Sequence, residues 1–243
     1  MNLLGALFGM RSLDQELLSA IIHRASLIPI EGLLQRGANP SAPDTRRHVS
    51  AGYEGYTALH YAPRWSVGPK AELVKLLIKA GAAVNAQSKY GHTPLHLFPD
   101  DDDCIALLLE AGARPNIFNS GGHTALHNAA RSGGLAVVKR LLAAGADPNA
   151  RQPPDRNLRD GKTPLHSAVF HTNGDERLSV IQALLKVGAD PRAKAEGYDA
   201  TPLRLAKSHL ALMRSSSSAE ATELELMEKV VHLLEEAENR SSV

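Results

Sequence analysis

The sequence predicts an all-α repeat solenoid of about six stacked units, the first and last of them atypical caps. Two observations predict it. One phrase recurs five times, as Gly55-Tyr-Thr-Ala-Leu-His60, Gly91-His-Thr-Pro-Leu-His96, Gly122-His-Thr-Ala-Leu-His127, Gly161-Lys-Thr-Pro-Leu-His166 and Asp199-Ala-Thr-Pro-Leu-Arg204. An apolar stretch closing on Gly-Ala follows the first four copies, at Gly81-Ala82, Gly112-Ala113, Gly145-Ala146 and Gly188-Ala189. A unit of this size cannot bury its own apolar face and must stack on neighbours.

The logic of one unit is clearest from Gly122 to Ala150. Thr124 stands at a helix N-cap, where its hydroxyl can accept from a free N–H of the first turn. Pro94, Pro164 and Pro202 follow the corresponding threonines at the first helical position, where a missing N–H had no partner. Leu126, Ala129 and Ala130 give a short helix with a small-residue face that another helix can approach closely. After Gly133-Gly134, the spacing of Val137, Val138, Leu141 and Leu142 marks one buried face of a second helix over 135–144. Gly145 is its left-handed stop, and Asp147-Pro148-Asn149 starts a turn toward the next copy.

Taken in chain order, residues 1–12 are a flexible or capping N-terminus. Their apolar run, Leu3 to Met10, lacks the basic flank of a signal peptide, and no stretch approaches the roughly 20 apolar residues of a membrane helix. The first repeat, about 13–40, opens on Ser12-Leu-Asp-Gln15, a capping box, with a helix through about Arg24 and another over 29–36. Repeats follow at about 55–86, 91–116, 122–150 and 161–191. The last, about 199–238, carries Arg204 in place of histidine and is interrupted by Ser215–Ser218. Its closing helix, about 219–238, sets Leu224, Met227, Val230, Val231 and Leu234 against a glutamate-rich outer face that solubilises the end of the stack. Residues 13–238 are thus expected to form one domain, with a flexible tail over 239–243.

The Thr-x-Leu-His phrase, the Gly-Ala stop and a period of about 33 residues closely resemble the ankyrin repeat. The resemblance covers roughly 13–238. It implies an L-shaped unit: β-hairpin fingers along one edge, inner helices on a concave face and outer helices on a convex back, with fingers and inner helices binding a protein partner. It also implies that His60, His96, His127 and His166 hydrogen-bond locally and to a neighbouring repeat. Asn85, Asn116 and Asn149 occupy the turn asparagine that can be hydroxylated in eukaryotic members.

The chain departs from that pattern in several places. From the Gly-Ala stop to the next threonine the family spacing fits 12 residues, as from Gly81 to Thr93, but Gly37 to Thr57 spans 20 and Gly145 to Thr163 spans 18. The second and fifth fingers are therefore enlarged. Pro63 and Pro99 each lie six residues after a cap threonine, so the inner helices of the second and third repeats should be shortened or kinked. Phe98 replaces a small packing residue, and the third repeat is expected to be the least stable.

Of ten Phe, Tyr and Trp residues, only Phe8 lies outside a finger, an inner helix or the loop beyond it. Aromatics and arginine are the usual anchors of protein interfaces. The expected partner contacts are Tyr53, Tyr56, Tyr61, Trp65, Tyr90, Phe118, Arg131, Arg156, Arg159, Phe170 and Tyr198. The alternative is that Leu/Ala-rich helices leave no room for aromatics, which collect elsewhere.

Residues that resemble chemical sites have structural readings. His92/His96 and His123/His127 have the spacing of a zinc pair, but the first of each precedes the cap threonine and lies outside the helix. Gly161-Lys162-Thr163 lacks the earlier glycine of a phosphate-binding loop, since Arg156 stands there. Asp100–Asp103 reads as a helix start favoured by the helix dipole, with a divalent-cation site as the alternative. Cys104 reads as a packing residue.

Lys plus Arg number 27 and Asp plus Glu 26, so no global basic field favours nucleic acid or an anionic membrane. One cysteine forms no intramolecular disulfide and suits a reducing compartment. The expectation is a non-enzymatic, monomeric, cytoplasmic scaffold that binds a protein, with no catalytic, metal or cofactor site and neither nucleic acid nor membrane as partner. The alternatives are an inhibitor, immunity or secreted effector protein that occludes one enzyme and, of another class, a small-ligand or metal-dependent enzyme.

Overall fold

The computed structural model describes residues 12–45, 52–65, 68–132, 134–151, 161–170, 174–195, 200–215 and 220–240. Their helices fall into six successive pairs, as the repeat pattern predicts. The first pair is α1 (Leu13–Ile22) and α2 (Leu27–Gln35). The second is α3 (Ala58–Tyr61), continued by a 3₁₀ turn over Ala62–Arg64, with α4 (Lys70–Lys79). The third is a 3₁₀ turn over Pro94–Leu97 with α5 (Asp102–Glu110). The remaining pairs are α6 (Ala125–Ser132) with α7 (Leu135–Ala143), α8 (Pro164–Val169) with α9 (Gly174–Lys186), and α10 (Pro202–Ser215) with α11 (Ala221–Arg240).

The expected stops are present. Gly37, Gly81, Gly112, Gly145 and Gly188 all have φ between 83° and 94°, the left-handed region that glycine enters without a Cβ clash. Ser12 caps α1, its hydroxyl accepting from Gln15 N at 3.2 Å. The closing helix runs on to Arg240, so Asn239 and Arg240 belong to it and not to a tail.

The prolines act as their geometry requires. In the second repeat the α-helix lasts four residues before Pro63 turns it into 3₁₀ geometry. In the third, ahead of Pro99, the inner element is a single 3₁₀ turn of four residues. Proline lacks the N–H for the helical bond and its ring crowds the preceding turn.

The described parts of the hairpin fingers are turns and not strands. Among the described residues no strand forms, and the one isolated bridge pairs Ala195 with Ala200 in antiparallel fashion. The third and fourth fingers close too soon for a ladder to develop: Ser88 N donates to His92 O and Asn119 N to His123 O, both at 2.9 Å.

The chain divides into two compact units, one ending at Phe98 and including Asp103–Arg114, the other made of Pro99–Asp102 and everything from Pro115 onward. In the first, α1, α3 and the Pro94–Leu97 turn pack in succession as the inner row, over a core that includes Leu17, Ile21, Ile30, Leu59, Leu73 and Leu77. In the second, α6, α8 and α10 form the inner row and α7, α9 and α11 the outer one. Leu126, Leu141, Leu165, Ile181, Met227 and Leu234 fill its core. Burial of such aliphatic side chains contributes about 1.5–3 kcal/mol each, and it is why unit adheres to unit along each row.

Candidate functional site

The residues that looked chemical are structural fasteners. In each of the second to fifth repeats the histidine Nδ1 accepts from the cap threonine N–H at 3.1 Å. The threonine hydroxyl lies 2.8–2.9 Å from the same nitrogen. An accepting Nδ1 places the proton on Nε2, and in three of these boxes Nε2 lies against a carbonyl of the next repeat. His60 reaches His92 O at 2.8 Å, His127 reaches Lys162 O at 2.9 Å and His166 reaches Ala200 O at 3.1 Å. Burial pushes the His60 imidazolium down to a pKa of about 4, because an ion loses its hydration there.

A second ladder runs four residues after each stop glycine. Asn85 Nδ2 donates to Gly112 O and Asn85 Oδ1 accepts from Arg114 N. Asn116 brackets Gly145 and Asp147 in the same way, and Asn149 brackets Gly188 and Asp190, at distances of 2.7–2.9 Å. Ser41 holds that place in the first repeat, its hydroxyl accepting from Ala83 N at 2.8 Å. Arg192 holds it in the fifth, and donates to Glu238 O at 2.6 Å. Both amide atoms of each asparagine are thus used in joining repeats.

Within the second compact unit, polar and ionic contacts join residues of successive outer helices. Arg140 makes a two-pronged pair with Asp102, both bonds 2.6 Å, which holds the Asp102 carboxyl below its ordinary value. Glu176 accepts from Leu135 N at 2.8 Å, capping α7 from α9. Arg177, with a side chain only 6 % exposed, donates to Glu223 at 2.7 Å. The aspartate run therefore does start a helix, at Asp102, and its cationic partner is a protein arginine. Cys104 is buried in α5 as a packing residue.

The expected partner contacts divide sharply. Tyr56, Tyr61 and Trp65 are buried, at 7 %, 6 % and 1 % exposure. Trp65 Nε1 donates to Ala25 O at 3.0 Å, and Gly68 is glycine for a reason of space, since a Cβ there would stand 3.2 Å from the indole. Tyr61 donates its hydroxyl to the buried Asp44 at 2.7 Å. Tyr53 stacks on Tyr61 at 6.1 Å, meets Tyr56 edge-on at 5.2 Å and lies under the Arg64 guanidinium. These four rings pack within the first compact unit, and three of them present no usable surface to a partner. Burial also raises the Tyr56 phenol above its ordinary value.

Tyr90, Arg131 and Phe170 are exposed and Phe118 is half-buried. Lys89 sits over the Tyr90 ring at 5.9 Å, and Phe170 lies 5.4 Å from His209. Arg156, Arg159 and Tyr198 lie outside the described residues. Sequence reasoning missed Asp44, the Arg177–Glu223 pair and the Ser41/Arg192 ends of the ladder. Only the last left a signal, the constant offset from the stop glycine.

Among the described residues no three of His, Cys, Asp or Glu are grouped to hold a metal ion, and no helix is long and apolar enough to cross a membrane. A family model described as ankyrin repeats in three copies matches residues 65–152, and a second, described as ankyrin repeats in many copies, matches residues 127–185. No curated protein matches the chain.

Proposed function

We propose, since the chain belongs to the ankyrin repeat family, that it is a non-enzymatic scaffold which binds a protein partner through its fingers and inner helices. Modules of this family are generally protein–protein interaction modules. The observation that supports the reading here is a division of labour among side chains. His60, His127 and His166, the turn asparagines and the aspartate at the start of α5 are occupied in joining repeats, which leaves these residues no open nucleophile–base pair or ligand set. Among the finger and inner-helix residues, Tyr90 and Phe170 remain 38 % and 41 % exposed, and Arg131 is exposed as well. A fold already ordered by its internal ladders binds with little further ordering cost.

The test is capture of partners from a native lysate on the immobilised full chain, read by mass spectrometry, with Tyr90→Ala/Arg131→Ala as the comparison. Truncating exposed side chains shifts stability by no more than about 0.5 kcal/mol, so the variant should melt with the wild type and lose the specific partner. Undiminished capture by this variant would overturn the assignment of the binding side.

A further inference from the structure

The sixth helix pair is held to the fifth by different means at its two ends. At the finger end His166 Nε2 lies 3.1 Å from Ala200 O, and Arg192 donates to Glu238 O at 2.6 Å. At the other end, where inner helices pass into outer ones, Arg177 of α9 donates to Glu223 of α11 at 2.7 Å. There the His209 ring of α10 also lies against Phe170, which directly follows α8, at 5.4 Å between centroids and tilted by 48°. This pair has no threonine–histidine box, since Arg204 takes the histidine place. Among the described residues α10 and α11 pack against one neighbouring pair, α8 and α9.

His209 is the unusual member of that contact. Its Nδ1 is buried without a hydrogen-bond partner. A neutral imidazole tolerates this by keeping its proton on Nε2, which leaves Nδ1 a bare acceptor. An imidazolium carries both protons, so Nδ1 becomes a buried donor with nothing to bond. Two charged groups act on the ring from the helices packed around it, Arg177 on α9 and Glu223 on α11. Burial opposes a charge on His209 most, Arg177 adds to that, and Glu223 offsets it in part, so the imidazolium is held below its ordinary value. The Phe170 ring favours a cation as well, but it is 41 % exposed, where that attraction is weak.

We propose that His209 is an acid-sensitive latch on the sixth repeat: neutral, it seats α10 against Phe170 and the Arg177–Glu223 pair, and protonated, it releases α10 and α11 while α6 to α9 stay folded. Selective release follows from the one-dimensional build of the array, in which a unit with one neighbour opens at the cost of a single interface. Linkage gives the sign. A proton that the seated ring binds more weakly than a free one is taken up on release. The latch therefore holds fully above about pH 6.5, the ordinary histidine value, and weakens as pH falls below it.

The test has two readouts on the full chain. In an NMR titration the His209 Cε1–H resonance, assigned by its disappearance in His209→Gln, should have its midpoint below about pH 6.5. Hydrogen exchange at pH 7.5 and 5.5, corrected for the intrinsic pH dependence, should show α10 and α11 losing protection at least fivefold more than α6 and α7. His209→Gln should abolish that selective loss, and His209→Leu gives the same reading should the amide disturb packing. His60→Gln, in a distant repeat, should leave it unchanged. A midpoint at or above pH 6.5, no selective loss at pH 5.5, or a loss that persists in the folded His209 variant or vanishes in His60→Gln would each overturn the proposal.

Discussion

The second and fourth repeats start alike and fill their interiors by opposite means. Both open on a threonine–histidine box, Thr57/His60 and Thr124/His127, with the same bonds at the same distances. Five and six residues after the threonine the fourth repeat has Ala129 and Ala130, both fully buried, and its helix continues to Ser132. The second has Ala62, then Pro63, and its α-helix is already over. Where regular helix is lost, volume must come from elsewhere, since protein interiors are close-packed. Trp65 supplies it, and Tyr56 and Tyr61 are buried as well. The third repeat repeats the lesson: Phe98, 1 % exposed, stands where the others have alanine, immediately before Pro99. Among the described residues, the buried aromatics thus follow the broken inner helices.

The largest test of this contrast is Trp65→Ala. Removing a buried indole costs about 3–5 kcal/mol through lost transfer energy and the cavity left behind, and here the bond to Ala25 O goes with it. Urea unfolding should show a loss of that size, and hydrogen exchange should quicken around α1 and α3, which the indole ties together. A variant as stable as wild type would return Trp65 to the list of surface anchors and break the comparison.

That outcome bears on how the sequence could be read at all. The repeat phrase and stop made the six helix pairs, the left-handed glycines and the effect of both prolines legible, because each is a local consequence of residue type at a fixed offset. The histidine bonds were legible only through the resemblance to the ankyrin repeat. Side-chain destiny was not. An aromatic in a finger reads as an interface anchor unless one knows that a missing helical turn nearby has left a hole. Tyr61 is buried because Asp44, 17 residues away, comes back to accept its hydroxyl, and no spacing rule announces such a pair. Tyr90 and Phe170 are 38 % and 41 % exposed.

A smaller effect separates the boxes by pH. The folded pKa of His60, about 4, lies below the unfolded value near 6.5. The unfolded chain therefore takes up a proton that the fold refuses. Stability from this group is complete above about pH 6.5, falls as pH drops through that value, and levels near pH 4; from pH 7 to 5 the loss is about 2 kcal/mol. His60→Gln keeps a Thr-x-x-Gln capping box and removes the titration. Urea midpoints at the two pH values should converge for the variant relative to wild type. An unchanged pH dependence would mean that other groups carry it.

The smallest test lies in the fourth repeat and approaches the contrast from its other side. If small residues allow α6 its close approach to α8, then adding volume there should hurt even though the addition is apolar. Ala130 is 0 % exposed, and Ala130→Val introduces two carbons into a packed site, with a β-branched side chain that the helix also disfavours. The expected loss is roughly 1 kcal/mol, the low end for overpacking. Arg131→Ala, one residue along and exposed, is the matched control and should be silent. If Ala130→Val is equally silent, the fourth repeat has slack in its core, and the alanines there reflect helix preference more than close packing. If it is as costly as Trp65→Ala, the regular repeats are the rigid part of the array and the proline-broken ones the adaptable part, with packing tolerance following helix length.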